Sequence, residues 1–175
     1  GSGKTTFARA LAAILGVTHV ELDALFWERD WKMADLDVFR ARVSTAIAED
    51  GWVVDGNYRA AGALELVWSR ADTVVWLDYG LPLTLARLFR RIVARIRDGR
   101  ELWPGTGNRE TIRNAFLQRD PLLLFALRTH RGRRRRLGEL VARPEYAHLA
   151  VHRFRTPADA ERWLAAQRSV ASPRI

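Results

Sequence analysis

The chain has 175 residues, 48% of them hydrophobic, enough for one domain with a substantial core. It contains no cysteine, which excludes disulfides, thiolate metal sites and thiol nucleophiles and suits a reducing, cytoplasmic setting. The net charge of +9 is lopsided: residues 87–175 hold 21 of the 29 Lys and Arg but 8 of the 20 Asp and Glu, so the second half must face an anion or solvent. No apolar run exceeds the length of Leu122 to Leu127, which is far shorter than the roughly 20 residues that span a bilayer, and no membrane partner is expected.

The first six residues, Gly1-Ser2-Gly3-Lys4-Thr5-Thr6, match the second half of G-x-x-x-x-G-K-[ST]. Small residues let backbone N–H groups close around a phosphate, the lysine reaches the β/γ-phosphates, and the hydroxyl after it suits Mg²⁺. The chain has two lysines, and one of them fills this slot. Phe7, Leu11, Ile14 and Leu15 then repeat at helical spacing up to Gly16, so the loop opens a helix whose N-terminal dipole adds to the phosphate site. A buried strand normally runs into such a loop. The pattern therefore predicts a domain clipped at its N-terminus, lacking its first, central strand.

Val17 to Leu22 reads as a short strand ending at Asp23, and Asp35 as the cap of a helix built on Leu36, Phe39, Val43 and Ile47. Trp52-Val53-Val54 is a buried-type strand that runs into Asp55-Gly56-Asn57-Tyr58-Arg59. A helical stretch reaches Ala71, and a third strand, Thr73 to Leu77, ends at Asp78. Three strands separated by helices, each followed by an aspartate, describe a parallel α/β sheet with its ligand edge marked.

Pro82 begins a long amphipathic helix running to Asp98, with Leu85, Leu88, Phe89, Ile92, Val93 and Ile96 on its apolar side and Arg87, Arg91 and Arg95 on one face. The turn-rich loop from Glu101 to Arg109 is the natural lid, within a lid region of about 99–136. Two more helices follow, broken at Asp120-Pro121, the second ending in the basic cluster Arg131 to Arg136. A last strand, His148 to Phe154, leads through Thr156-Pro157 into a terminal helix that runs to about Arg168. The spacing thus predicts a single domain over 1–168 and a frayed tail over 169–175.

Together, Gly1 to Thr5, Leu22-Asp23-Ala24-Leu25, Trp52 to Arg59, Val74 to Asp78, Glu101-Leu102-Trp103 with Gly107-Asn108, and Arg155-Thr156-Pro157 resemble the P-loop nucleoside and small-molecule kinases, a family that includes adenylate and shikimate kinases. The likeness is greatest to adenylate-kinase-like proteins sometimes labelled DNA topology modulation proteins. It implies a three-layer α/β/α P-loop kinase fold with a parallel sheet of order 2-3-1-4-5, strand 1 missing here. It also implies transfer of the γ-phosphoryl group of ATP to a small acceptor, a nucleoside monophosphate or a hydroxyl-bearing metabolite. Gly1, Ser2, Gly3, Lys4, Thr5, Thr6 and Arg155 would bind ATP. Adenylate kinases carry Asp-Gly-x-Pro-Arg where this chain has Asp55 to Arg59, so Asp55 and Arg59 fall on the acceptor side, although Tyr58 replaces the proline. Asp23 matches the aspartate that contacts the acceptor hydroxyl in shikimate-like kinases.

Asp78 follows an apolar strand, where such enzymes place the acid that holds Mg²⁺ together with Thr5. Since phosphoryl transfer rests on positioning and charge neutralisation, Lys4, Arg91, Arg95 and Arg131 are the candidates for that work. Simple capping or turn roles remain open for the three aspartates, as do solvated faces for the arginines. Among the tryptophans, Trp27, Trp31 and Trp103 fall in loops near the acceptor side, whereas the others suit core positions. The histidines show no zinc spacing. With lysine at positions 4 and 32 alone, no guanine-reading Asn-Lys-x-Asp segment exists, so ATP is the expected donor. The rival is a regulator whose Arg131 to Arg136 cluster grips nucleic acid.

Overall fold

The computed structural model describes residues 1–116 and 122–171. Helix α1 (Lys4–Leu15) starts after Gly3, which takes the left-handed conformation at φ 87°, and stops at Gly16 at φ 68°, whose N–H bonds to the Ala12 carbonyl. Its buried face is Ala8, Leu11 and Ala12, while Leu15 stays 45% exposed. Two alanines on that face let the helix lie close against strands β1 (Thr18–Glu21) and β2 (Trp52–Asp55) and the terminal helix.

β1 and β2 are parallel, with Glu21 level with Asp55. Between them come α2 (Leu22–Phe26), a 3₁₀ turn at Arg29–Trp31, and α3 (Leu36–Ala46). Asp35 caps α3 as expected, accepting from the Asp37 and Val38 amides. Asp23, expected at a strand end, lies instead in the first turn of α2, because β1 stops at Glu21 and the chain coils at once. After β2 a 3₁₀ turn at Arg59–Ala61 leads into α4 (Ala63–Trp68). Strand β3 (Thr73–Leu77) pairs in parallel with β4 (Ala150–Phe154), Leu77 level with Phe154. The architecture is mixed α/β with two small parallel sheets, and among the described residues β2 and β3 share no ladder.

Helix α5 (Leu81–Asp98) has Pro82 in its first turn and ends at Gly99, at φ 57°. It buries Leu88 and Ile92, but Phe89 and Val93, expected on the same apolar side, are 50% and 46% exposed. Helix α6 (Ile112–Phe116) precedes α7 (Leu122–Val141); the expected break at Asp120-Pro121 lies outside the described residues. The arginine cluster does not terminate α7: the helix continues past it to Val141, since Leu137 and Leu140 carry on the apolar face into the core. Helix α8 (Pro157–Ala171) likewise continues beyond Arg168, so residues 169–171 of the expected tail are helical and the remainder lies outside the described residues.

The main core gathers Leu22, Phe26, Phe39, Val43, Ile47, Ala63, Leu64 and Trp68 between α2, α3, α4 and the first sheet, with Leu140, Tyr146 and Leu149 closing it. A smaller cluster of Leu88, Ile92 and Ala115 ties α5 to α6. No helix among the described residues is long and apolar enough to cross a membrane.

Candidate functional site

The N-terminal turn of α1 faces the carboxyl end of β2. Thr5 Oγ1 donates to Asp55 Oδ1 over 3.3 Å, and His19 Nε2, from β1, lies 3.1 Å from Asp55 Oδ2. Asp55 is 7% exposed, so both its oxygens are satisfied by these neighbours rather than by bulk water. Lys4 reaches solvent, but the protein crowds it. That desolvation lowers its pKa, with Arg133 and Arg91 pushing the same way and Asp55 and Asp23 pulling against them. The five groups therefore share one electrostatic neighbourhood at the mouth of the loop.

The loop is braced from α5. Arg87 Nη1 donates to the Ser2 carbonyl over 3.2 Å, while its guanidinium stands over the Tyr79 ring at 5.3 Å. A Cβ built on Gly1 would sit 2.5 Å from the Thr84 carbonyl oxygen, so only glycine fits against α5 there. Thr6 is exposed on the outer side of the turn.

Beside this loop, Tyr58 donates its hydroxyl to Asp23 Oδ1 over 2.5 Å. Burial, then this hydrogen bond, raises the phenol pKa well above its ordinary range, so Tyr58 is a permanent donor. Glu21 accepts from the Trp103 indole over 3.3 Å. Arg91 and Arg95 lie one turn apart on α5, and Arg95 Nη1 stands 3.9 Å from Glu110 Oε2. Crowding and the like charge of Arg95 lower the Arg91 pKa, opposed by Glu110, Asp23 and Glu21.

The expected lid is already docked. Asn108, 2% exposed, accepts from the Trp31 amide at 2.9 Å and donates to the Glu28 carbonyl at 2.8 Å. It thereby holds a turn in which Asp30 and Trp31 both have positive φ, at 60° and 59°. For a residue as bulky as tryptophan that is an outlier that neighbouring structure must enforce. The three loop tryptophans come together: Trp31 meets Trp27 at 5.7 Å and Trp103 at 5.8 Å between ring centroids, both edge to face.

Other expected residues lie elsewhere. Asp78, the expected metal acid, is 3% exposed and committed to arginines: Arg153 Nη2 reaches Oδ2 at 2.6 Å, and Arg134 Nε lies 2.6 Å from Oδ1. Burial disfavours its charge, but hydrogen bonds from Arg134 and Arg153 outweigh that and hold its pKa below the ordinary value. The acid beside Thr5 is Asp55 instead, because β2 and not β3 carries a carboxylate to the start of α1. Arg59 is exposed, its side chain forms no hydrogen bond or ion pair among the described residues, and its charge acts on Tyr146. The β2–α4 turn carries it to that side. Arg131 is exposed and acts on His130, whereas Arg133, two residues on, reaches Lys4's neighbourhood; a two-residue step turns a helix by more than half a revolution. Arg155 is exposed beyond β4 and makes no hydrogen bond or ion pair among the described residues.

Sequence reasoning did not single out His19, Glu21, Arg87, Arg133, Arg134, Arg153 or Asn108 for these positions. Glu21 and His19 alternate along β1 and carried that signal, whereas the arginines were hidden in a composition where arginine is everywhere. Searches against family models, curated proteins and solved structures find no match to the chain.

Proposed function

We propose that the protein binds ATP at Gly1–Thr6 and transfers its γ-phosphoryl group to a small acceptor held on the Asp23 side. The observation that carries this reading is the contact between Thr5 and Asp55 directly behind a left-handed Gly3 at the start of α1, with Lys4 alongside. Backbone N–H groups at a helix start, a lysine and an adjacent hydroxyl–carboxylate pair are what a nucleotide polyphosphate requires. In this reading β1–β2 and β3–β4 are parts of a three-layer P-loop sheet of order 2-3-1-4-5, in which β2 and β3 are not neighbours. The packing of α1 on β2, and the lack of a β2–β3 ladder among the described residues, support it.

Mg²⁺ fits the donors present. Thr5 and Asp55 offer two oxygens 3.3 Å apart, and this ion binds through one or two protein oxygens plus waters and phosphates. When bound it would neutralise charge on the β- and γ-oxygens. The chain's own contribution is to cradle the phosphates with the Gly1–Thr6 backbone and Lys4, and to present Arg91 and Arg133 to the transferred group. Asp23, fixed by Tyr58, faces the acceptor.

The nucleic-acid alternative draws less support, because the arginine cluster is not one outward face. Arg134 turns in to Asp78, Arg133 acts on Lys4, and Arg135 pairs with Glu139 at 3.5 Å. Titration of the protein with Mg·ATP, alongside Lys4→Ala, tests the proposal. Binding that Lys4→Ala abolishes is expected. Absence of ATP binding, together with tight DNA binding that falls steeply with salt and ignores Lys4→Ala, would replace this reading with the regulator.

A further inference from the structure

The acceptor side is built differently from a site for a phosphorylated acceptor. Arg59, which would anchor an acceptor phosphate, lies exposed on the Tyr146 side, and its side chain makes no hydrogen bond or ion pair among the described residues. Its neighbour Tyr58 is turned to Asp23 instead. The cation nearest that side, Arg91, is already in the field of Glu110, Asp23 and Glu21. On the Asp23 side, away from Arg59, a run of contacts leads from α2 back to Glu21. Trp27, whose amide closes the last turn of α2 on the Asp23 carbonyl at 3.1 Å, meets Trp31, Trp31 meets Trp103, and the Trp103 indole returns to Glu21. Trp31 is half-buried, displayed on a backbone outlier that buried Asn108 pins.

Resting on the kinase reading above, we infer that the acceptor is an uncharged, hydroxyl-rich small molecule of the sugar or polyol class, seated against Trp31 and hydrogen-bonded to Glu21 and Asp23. Carboxylates accept hydrogen bonds from hydroxyls and repel phosphate, whereas indole rings offer apolar faces to the C–H side of a carbohydrate and polar edges that hold the carboxylates. In the transfer an acceptor hydroxyl oxygen bonds to the γ-phosphorus and the bond from that phosphorus to the β,γ-bridging oxygen breaks. ADP leaves with that electron pair, and the hydroxyl proton passes to the Asp23 carboxylate, which Tyr58 holds through one oxygen.

The test uses the whole chain, γ-labelled ATP and three acceptor panels: neutral monosaccharides and polyols, nucleosides, and nucleoside monophosphates. ATP binding is measured separately by titration. Label transfer to a neutral sugar or polyol is expected. Trp31→Ala and, independently of that ring, Glu21→Gln should each raise the acceptor KM about ten-fold or more while leaving the ATP KM within about two-fold. Thermal melts of both variants confirm that they fold. Lys4-dependent ATP binding with transfer to a nucleoside monophosphate, to a nucleoside or to no neutral acceptor overturns this inference and leaves the kinase fold reading in place. So does an acceptor KM that neither variant moves. Failure to bind ATP removes both readings.

Discussion

Thr5 and Asp55 stand 50 positions apart in the chain, yet the Thr5 hydroxyl donates to the Asp55 carboxylate over 3.3 Å. The contact joins the start of α1 to the end of β2, and it gives the Gly1–Thr6 turn an acidic neighbour that its own sequence does not contain. If the pair serves a Mg²⁺-bound nucleotide, Asp55→Asn removes the charge but keeps the shape. The expected result is a fall in transfer rate of about 100-fold or more with an unchanged fold, read from single-turnover kinetics at several Mg²⁺ concentrations. A rate that stays within a factor of two would remove Asp55 from the machinery.

Asp78 makes a different prediction, about stability. Its folded pKa is depressed below the ordinary 3.8 by Arg134 and Arg153. A depressed carboxylate stabilises the fold at pH values above its unfolded pKa and loses that contribution as the pH falls through the lower folded value. The wild type should therefore lose stability below about pH 4, and Asp78→Asn should flatten that limb. At neutral pH the variant should cost about 1–3 kcal/mol, towards the lower end because both arginine side chains are 40% open to water. Urea midpoints from pH 2.5 to 7 check both statements.

Tyr58 has the opposite sign. Its folded pKa lies above the ordinary value of 10.0, so the stabilisation from the protonated phenol is complete below pH 10 and is lost as the pH rises towards the folded value. In alkaline titration followed at 295 nm, Tyr58 should ionise last, with or after unfolding. Tyr58→Phe should remove that step and cost about 1 kcal/mol at neutral pH through the lost bond to Asp23. Absorbance change unaltered by the substitution would contradict the assignment.

Asn108→Ala should release the docked loop. The substitution strips the Trp31 amide and the Glu28 carbonyl of their partner, worth about 1–3 kcal/mol for buried groups, and lets the positive-φ turn at Asp30–Trp31 relax. Faster proteolysis near residues 100–110 and a red-shifted tryptophan emission are the expected readouts. Asp35→Ala serves as the contrast: it removes an exposed cap at a cost of about 1 kcal/mol and should leave that loop and ATP binding untouched.

Much of the chain's local structure was legible in its residues. The strand at Thr73 to Leu77, the helix from Pro82 to Asp98 with its stop at Gly99, and the Asp35 cap all came from short-range chemistry: β-branched runs, fixed-φ proline at a first turn, a glycine able to turn left-handed, and a side chain reaching its own next amides. The Gly-Lys-Thr turn was equally local. Misreadings gathered where neighbours in space overrule neighbours in sequence. Periodicity grouped Phe89 and Val93 with Leu88 and Ile92, but only the latter two face α6. It also ended α7 at the arginines, although Leu137 and Leu140 bind the helix to the core beyond them.

The sequence by itself determined the Gly-Lys-Thr turn that opens α1, the parallel strands among helices, and Asp55 and Asp78 at the ends of β2 and β3, because each depends on contacts within a few residues. Which aspartate does what was decided only by the tertiary structure. Asp55 meets Thr5, Asp23 meets Tyr58, and Asp78 is consumed by Arg134 and Arg153, each through partners 35 to 75 residues away. A carboxylate's role follows from the charges and donors around it, and those are set by packing between distant elements rather than by the residues next in line.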